Sequence, residues 1–283
     1  KMREEIRIGR SFVASFHGKA RGRILTMFGP HAPYTCSTDC LLKVKELARR
    51  FQVGIHIHLA ESSEEVKQTT EKYGKRPVEY LNAIEFLGPE VLAAHCVWVT
   101  EREIEMIRDK GVKPVHNPTS NMKMGSGIAQ VPEMLESGIP VALGTDGAAS
   151  NNTLDMFKEM KLAALLAKAR KLDPAVLPAM KALEMATING ATALGLQKEI
   201  GSLEVGKKAD LIVVNLKKPH LSPMHDIVSH LVYSASGSDV DTVVVDGKVL
   251  MERGEVLTVD EEKVLNLSQK TSDDLVSRLG GNS

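Results

Sequence analysis

The sequence predicts an α/β fold built on a parallel sheet. Apolar runs of strand length alternate with amphipathic segments of helix length, the order that crossover connections require. The runs are mostly apolar throughout, which suits strands covered on both faces. Several end on His, Glu or Asp followed by small residues, and parallel α/β folds gather their chemistry at the carboxyl ends of strands.

The chain opens Lys1-Met-Arg-Glu-Glu-Ile-Arg-Ile8, a charged, helix-like segment without an initiating methionine, which reads as the interior of a longer protein. Strands are expected at Ile24–Phe28, Val53–Leu59, Val91–Ala94, Val112–Val115 and Val141–Gly144. Helices are expected between them at Thr38–Arg50, Ser63–Tyr73, Pro77–Leu87, Glu101–Asp109 and Val131–Ser137. The spacing is that of a (β/α) barrel, although a closed barrel needs eight strands. Two longer helical patterns follow, Thr153–Arg170 and Pro174–Ala186, the second opening on Asp-Pro. Asp210–Leu216 and Thr242–Met251 are then β-rich, and Asp246-Gly247 signals a hairpin. The expected division is 1–200 for the barrel portion with its following helices, 201–258 for a small β-sandwich portion, and 259–283 for a helical tail.

Lys+Arg and Asp+Glu both number 36, so no general field draws nucleic acid or an anionic membrane surface. No apolar run approaches a membrane span, and the opening segment lacks the basic-then-apolar pattern that would suggest a secretory signal. Three cysteines fit reduced thiols in a cytoplasm, and Cys36 and Cys40 lack the second pair of a structural zinc site.

Asp146 carries the most information. The run Val141-Ala-Leu-Gly-Thr-Asp146 ends in a carboxylate, and the Gly and Ala after it leave its approach open. His58 and Glu61 read two ways: a metal-binding imidazole with a proton-shuttling carboxylate, or a packed histidine before a helix start. His56 shares a strand face with His58 but lies a pleat deeper, and is expected to be a buried second-layer residue. His95 suits either metal binding, control of an attacking water, or packing; Cys96, on the opposite face, is expected in the core. His31 follows a strand and is placed to hydrogen-bond a substrate, and the loop from Pro118 to Ile128 to cap a pocket. Met122-Lys-Met-Gly-Ser-Gly127 lacks the ending of a phosphate loop, and no Gly-x-Ser-x-Gly elbow is present.

Taken in order, these segments resemble the amidohydrolase superfamily, most closely its methylthioadenosine/S-adenosylhomocysteine deaminase group. The resemblance rests on Gly29-Pro-His-Ala-Pro-Tyr34, His58-Leu-Ala-Glu61, Ala94-His-Cys96, His116-Asn-Pro-Thr-Ser-Asn121, Gly144-Thr-Asp-Gly-Ala-Ala-Ser-Asn-Asn152 and Ile200–Ile212. It implies a TIM-type (β/α)8 barrel with strands four to eight present here, plus part of a small β-sandwich. It implies one divalent metal held by His58 and Asp146, zinc in most members and Fe2+ as the alternative. Glu61 would relay protons to a purine ring, His95 would orient the hydrolytic water, and Asp146 would take that water's proton. His31, Glu61 and Asp146 would contact the nucleoside, and the product would be the inosyl analogue.

The family also carries a His-x-His metal pair on its first strand, which this sequence lacks. Two protein ligands fall short of the three usual at a catalytic zinc. The expectation is therefore a deaminase whose preceding part supplies that pair. Guanine deamination or chlorotriazine hydrolysis are the neighbouring enzymatic readings, and a non-catalytic scaffold is the reading if the pair does not exist. Open sheet edges make a homo-oligomer the expected assembly.

Overall fold

The computed structural model describes residues 2–280. Five parallel strands form one sheet in sequence order: β1 (Met27–Phe28), β2 (Gly54–Leu59), β3 (Val91–His95), β4 (Lys113–His116) and β5 (Ala142–Leu143). Each crossover runs through helices on one face, as parallel pairing demands. That face is the core: Ile55, Ile57 and Leu59 of β2 pack with Val91 and Ala93 of β3 and with Leu41, Leu81 and Ile107 of the covering helices. At the amino end of the other face, Leu92 and Ala142 meet Ala193 of the Ile188–Ala193 helix.

The register decides where the chemistry sits. His58 lies opposite Ala94 and Leu59 opposite His95, while His116 lies opposite Leu143. The carboxyl ends of β2 to β5 are thereby level. β1 and β5 each pair with one neighbour and are short, two residues apiece where five and four were expected. Ile24 is drawn away from β1 to bridge Lys19 instead.

His56 departs from its expectation. It alternates to the same side as His58, but it is exposed rather than buried, because the Ile188–Ala193 helix packs on Leu92 and Ala142 of the neighbouring strands and leaves His56 outside that cluster. The second long helix also begins late, at Ala179 rather than Pro174. The Lys168 ammonium collects the carbonyls of Pro174, Val176 and Leu177, which keeps 174–178 in a turn. Asp155 caps the preceding helix, which is therefore Met156–Lys171. The expected loop after β4 contains a helix, Pro118–Lys123, started by a proline at its first position.

Beyond these helices four antiparallel strands make a second sheet: β6 (Leu211–Val214), β7 (Val240–Val245), β8 (Lys248–Glu252) and β9 (Glu255–Val256). Asp246 and Gly247, at φ 51° and 76°, turn β7 into β8 with Val245 facing Lys248. The Glu261–Gly280 helix follows, with Val264, Leu265, Leu267 and Leu275 exposed along it. No helix among the described residues is long and apolar enough to cross a membrane.

The facing of β2 gives a direct test. Replacing fully buried Ile57 by Ala removes core contacts and is expected to cost about 2–5 kcal/mol in urea denaturation. His56→Ala, one residue away and exposed on the other face, should change stability by less than about 0.5 kcal/mol. Similar losses for the two would show that the alternation has been misassigned.

Candidate metal and proton-transfer site

Strand alternation alone would send His95 to the helix-covered side, since it pairs with buried Leu59. Its backbone instead adopts φ 74°, and the chain leaves β3 turned towards the open face. Ala60 at 51° and Asp146 at 59° leave the tips of β2 and β5 in the same left-handed region. Non-glycine residues rarely hold that conformation, and it costs about 1–3 kcal/mol per residue. The side chains gathered by these three turns are those the sequence singles out.

Each of three histidines has its Nδ1 committed. His58 Nδ1 lies 2.7 Å from the His31 carbonyl oxygen, which only accepts, so Nδ1 carries the proton and Nε2 is a bare lone pair. His95 Nδ1 donates to Asn121 Oδ1 at 2.8 Å, leaving its Nε2 facing Glu61 Oε2 at 3.7 Å. The Thr35 hydroxyl spends its one hydrogen on the Ala32 carbonyl and therefore accepts from His31 Nδ1, 2.8 Å away. The rings follow one another, with centroids 5.0 Å apart from His31 to His58 and 5.5 Å from His58 to His95. Burial and the neighbouring His58 hold the His31 imidazole below its ordinary pKa, favouring the neutral ring.

Asp146 is held as an anion. Partial burial pushes its carboxyl up, but hydroxyl donation from Ser120 and Ser150, both 2.6 Å from Oδ2, and the Gly147 N–H bring it below the ordinary range. Both hydroxyls address the same oxygen, Oδ2. Glu61 is fixed from behind by Glu65, whose carboxylate accepts the Ala60 and Glu61 N–H groups at 3.0 and 2.7 Å. In front, the Ser126 hydroxyl reaches Glu61 Oε1 at 3.4 Å. Gly144 is required by a close approach: a Cβ there would lie 2.9 Å from Asn117 Nδ2, and Asn117 Oδ1 accepts the His95 N–H.

Ligand atoms of His58, His95 and Asp146 all lie within 4.8 Å of one another. Two unprotonated imidazole nitrogens beside an ionised carboxylate form a donor set that suits a divalent cation such as zinc. The structure brings together all five expected residues, His31, His58, Glu61, His95 and Asp146. His116 stays apart from the donor set: it is fully buried, burial pushes its pKa down to about 3, and its Nδ1 has no partner. Cys96 is in the core as expected.

The profile of the amidohydrolase family matches residues 2–250. The chain belongs to the amidohydrolase family. It is 54% identical over 279 residues to the 5'-deoxyadenosine deaminase of Methanosarcina mazei, covering 99% of this chain and 64% of that protein. It is 50% identical over 276 residues to the 5-methylthioadenosine/S-adenosylhomocysteine deaminase of Thermoanaerobacter pseudethanolicus, covering 98% and 64%. Among solved structures, an adenosine deaminase from Xanthomonas campestris with bound zinc superposes with a TM-score of 0.92 at 35% identity, over 95% of this chain and 61% of that one. The atrazine chlorohydrolase of Arthrobacter aurescens, complexed with zinc, gives 0.88 at 27% identity over 95% and 60%. The chain thus spans less than two thirds of the length of these amidohydrolase relatives. The superpositions make its five-stranded sheet part of the amidohydrolase barrel.

Ser120, Asn121, Ser150 and Glu65 were not singled out individually from the sequence of this amidohydrolase. Ser and Asn are ordinary loop residues, and their roles depend on which loops fold against each other. Glu65 offered one signal, its place three residues after the capping Ser62.

Glu65 also gives this site a pH signature. Burial pushes its carboxyl up to about 7, against the two backbone N–H bonds that favour the charged form. A folded-state value above the ordinary 4.5 means that its stabilisation is complete below that value and is lost as pH rises through about 7. The loss amounts to about 3 kcal/mol. Urea denaturation of the wild type and Glu65→Gln from about pH 5 to about pH 8 should show the wild type losing stability relative to the variant. Parallel profiles would contradict the assignment.

Proposed function

We propose that the protein carrying this chain is a metal-dependent hydrolytic deaminase of adenosine-type nucleosides, such as 5'-deoxyadenosine, methylthioadenosine or S-adenosylhomocysteine. One observation carries the reading: the donors of His58, His95 and Asp146 converge within 4.8 Å, with the Glu61 carboxylate 3.7 Å from His95. His58 and Asp146 would hold the metal, with zinc the choice that fits their donors. A divalent metal bound there supplies Lewis acidity and makes water acidic enough to be deprotonated near neutral pH. The remaining ligands of a complete shell would come from outside this chain, as the coverage of its relatives leaves room for.

The residues divide the proton work between them. His95 presents Nε2 to the attacking water and orients it towards the amino-bearing ring carbon. Asp146, held ionised, accepts that water's proton. Glu61 protonates the adjacent ring nitrogen, so that charge does not build on the purine as the carbon becomes tetrahedral. The proton on Asp146 passes to the departing amine, the proton of the new C6 hydroxyl returns to Glu61 as the carbonyl forms, and the balance is nucleoside plus water to inosyl product plus ammonia. His31, whose Nδ1 is engaged by Thr35, would accept a hydrogen bond from a sugar hydroxyl at Nε2. The greater similarity to deaminases than to the chlorotriazine enzyme, 54% against 27% identity, favours amine over chloride as the leaving group.

Zinc-loaded full-length protein should release ammonia from at least one of 5'-deoxyadenosine, methylthioadenosine and S-adenosylhomocysteine in preference to guanine or a chlorotriazine. Glu61→Gln should lower kcat by about 10^2–10^4-fold, the usual contribution of a positioned proton donor. Asp146→Asn should abolish turnover with the fold retained by circular dichroism. Absence of ammonia from every adenosine-type substrate would overturn the proposal, as would near-normal turnover in Asp146→Asn.

A further inference from the structure

Glu159 lies in the first turn of the Met156–Lys171 helix and is fully buried. A buried carboxylate is costly unless its charge is answered. No Lys, Arg or His among the described residues forms an ion pair with it. Its oxygens are met by three neutral donors from two other segments. Oε2 accepts the Thr119 N–H at 3.2 Å, and Oε1 accepts the Thr119 hydroxyl at 2.6 Å and Asn151 Nδ2 at 2.8 Å.

Both partners lead to Asp146. Asn151 Nδ2 spends its second hydrogen on the Thr145 carbonyl, 2.7 Å away, in the peptide that precedes Asp146. Asn151 Oδ1 in turn accepts from Thr153, so the amide's orientation is fixed by all its partners. Thr119 is followed by Ser120, whose hydroxyl holds Asp146 Oδ2. One arm thus clamps the left-handed backbone at Asp146, and the other clamps its side chain.

We infer that Glu159 is a positioning residue that joins the loops after β4 and β5 and sets both the backbone turn and the carboxylate direction of Asp146. The inference rests on the reading of Asp146 as a metal ligand for its functional meaning. Its geometric content stands without it. A carboxylate suits the task because it only accepts, so three donors can point at it without conflict. Glutamine keeps the size but turns one acceptor into a donor facing either the Thr119 N–H or the Asn151 amide.

The test uses full-length protein with Glu159→Gln, and Thr119→Val as a milder variant that deletes one hydroxyl if the first fails to fold. Glu103→Gln, at a fully buried carboxylate on the Glu101–Asp109 helix, serves as a structural control. Crystal structures of metal-free variants should show Asp146 leaving the φ 59° turn in Glu159→Gln and its carboxylate rotating in Thr119→Val. Zinc affinity should fall about 10–100-fold in Glu159→Gln, as for other groups that orient a ligand, and the cobalt-substituted visible spectrum should change. The control should lose stability with zinc affinity and spectrum unaltered. An unmoved Asp146 in both site variants, or equal loss of zinc affinity in the control, would overturn the inference. If wild-type protein binds zinc but turns over no nucleoside, the deaminase reading fails and these comparisons still decide the role of Glu159.

Discussion

The parallel ladder between β2 and β3 is the constraint from which the site follows. It sets Leu59 level with His95, and the pairing of β4 with β5 sets His116 level with Leu143. Parallel hydrogen bonding brings every strand to its tip in the same direction, so loops from distant parts of the chain open onto one surface. The ladder alone would leave His95 on the covered face. The left-handed turns at Ala60, His95 and Asp146 convert level strand ends into a shared cluster of polar side chains. Each turn is strained, and each is held by a specific hydrogen bond: Glu65 at Ala60, Asn117 at His95, Asn151 beside Asp146.

A second regularity concerns which atoms are left free. His31, His58 and His95 all have Nδ1 engaged, by Thr35, the His31 carbonyl and Asn121 respectively. Fixing one nitrogen fixes the tautomer and the ring plane, and so aims a lone pair from Nε2. Asp146 repeats the logic in oxygen, with both serine hydroxyls on Oδ2. The supporting groups thereby decide the chemistry of the groups they support.

Most of the fold was legible because its signals are local. Apolar runs marked all five parallel strands, and Asp246-Gly247 marked the hairpin between β7 and β8. Errors arose where tertiary contacts overrode local preference. Asp173-Pro174 is a sound helix start, but Lys168 takes the carbonyls that a helix beginning there would need. His56 alternates as read, yet its exposure depends on packing that a single segment cannot reveal. The five candidate site residues were legible as His, Glu and Asp at strand ends. Their supports were not: Ser120, Ser150 and Asn121 look like loop residues until their loops are folded against one another.

The absence of cations around Asp146 is itself informative. A buried or half-buried carboxylate is most often stabilised by Lys or Arg, and among the described residues Asp146 has no such partner within ion-pairing distance. Lys123 is near in sequence to Ser120 but spends its ammonium on the Ala149 carbonyl and Asn152. A resident cation would lower the carboxylate's pKa, but it would also cancel the charge that the proposed divalent metal would need. Neutral hydroxyls and N–H groups keep the carboxylate ionised while leaving its full charge in place. Glu159 extends the same economy one layer outward, since its oxygens too are met only by neutral donors. Both carboxyls beside the β5 tip are thus held by neutral donors, which fix the direction of their oxygens without an opposing charge.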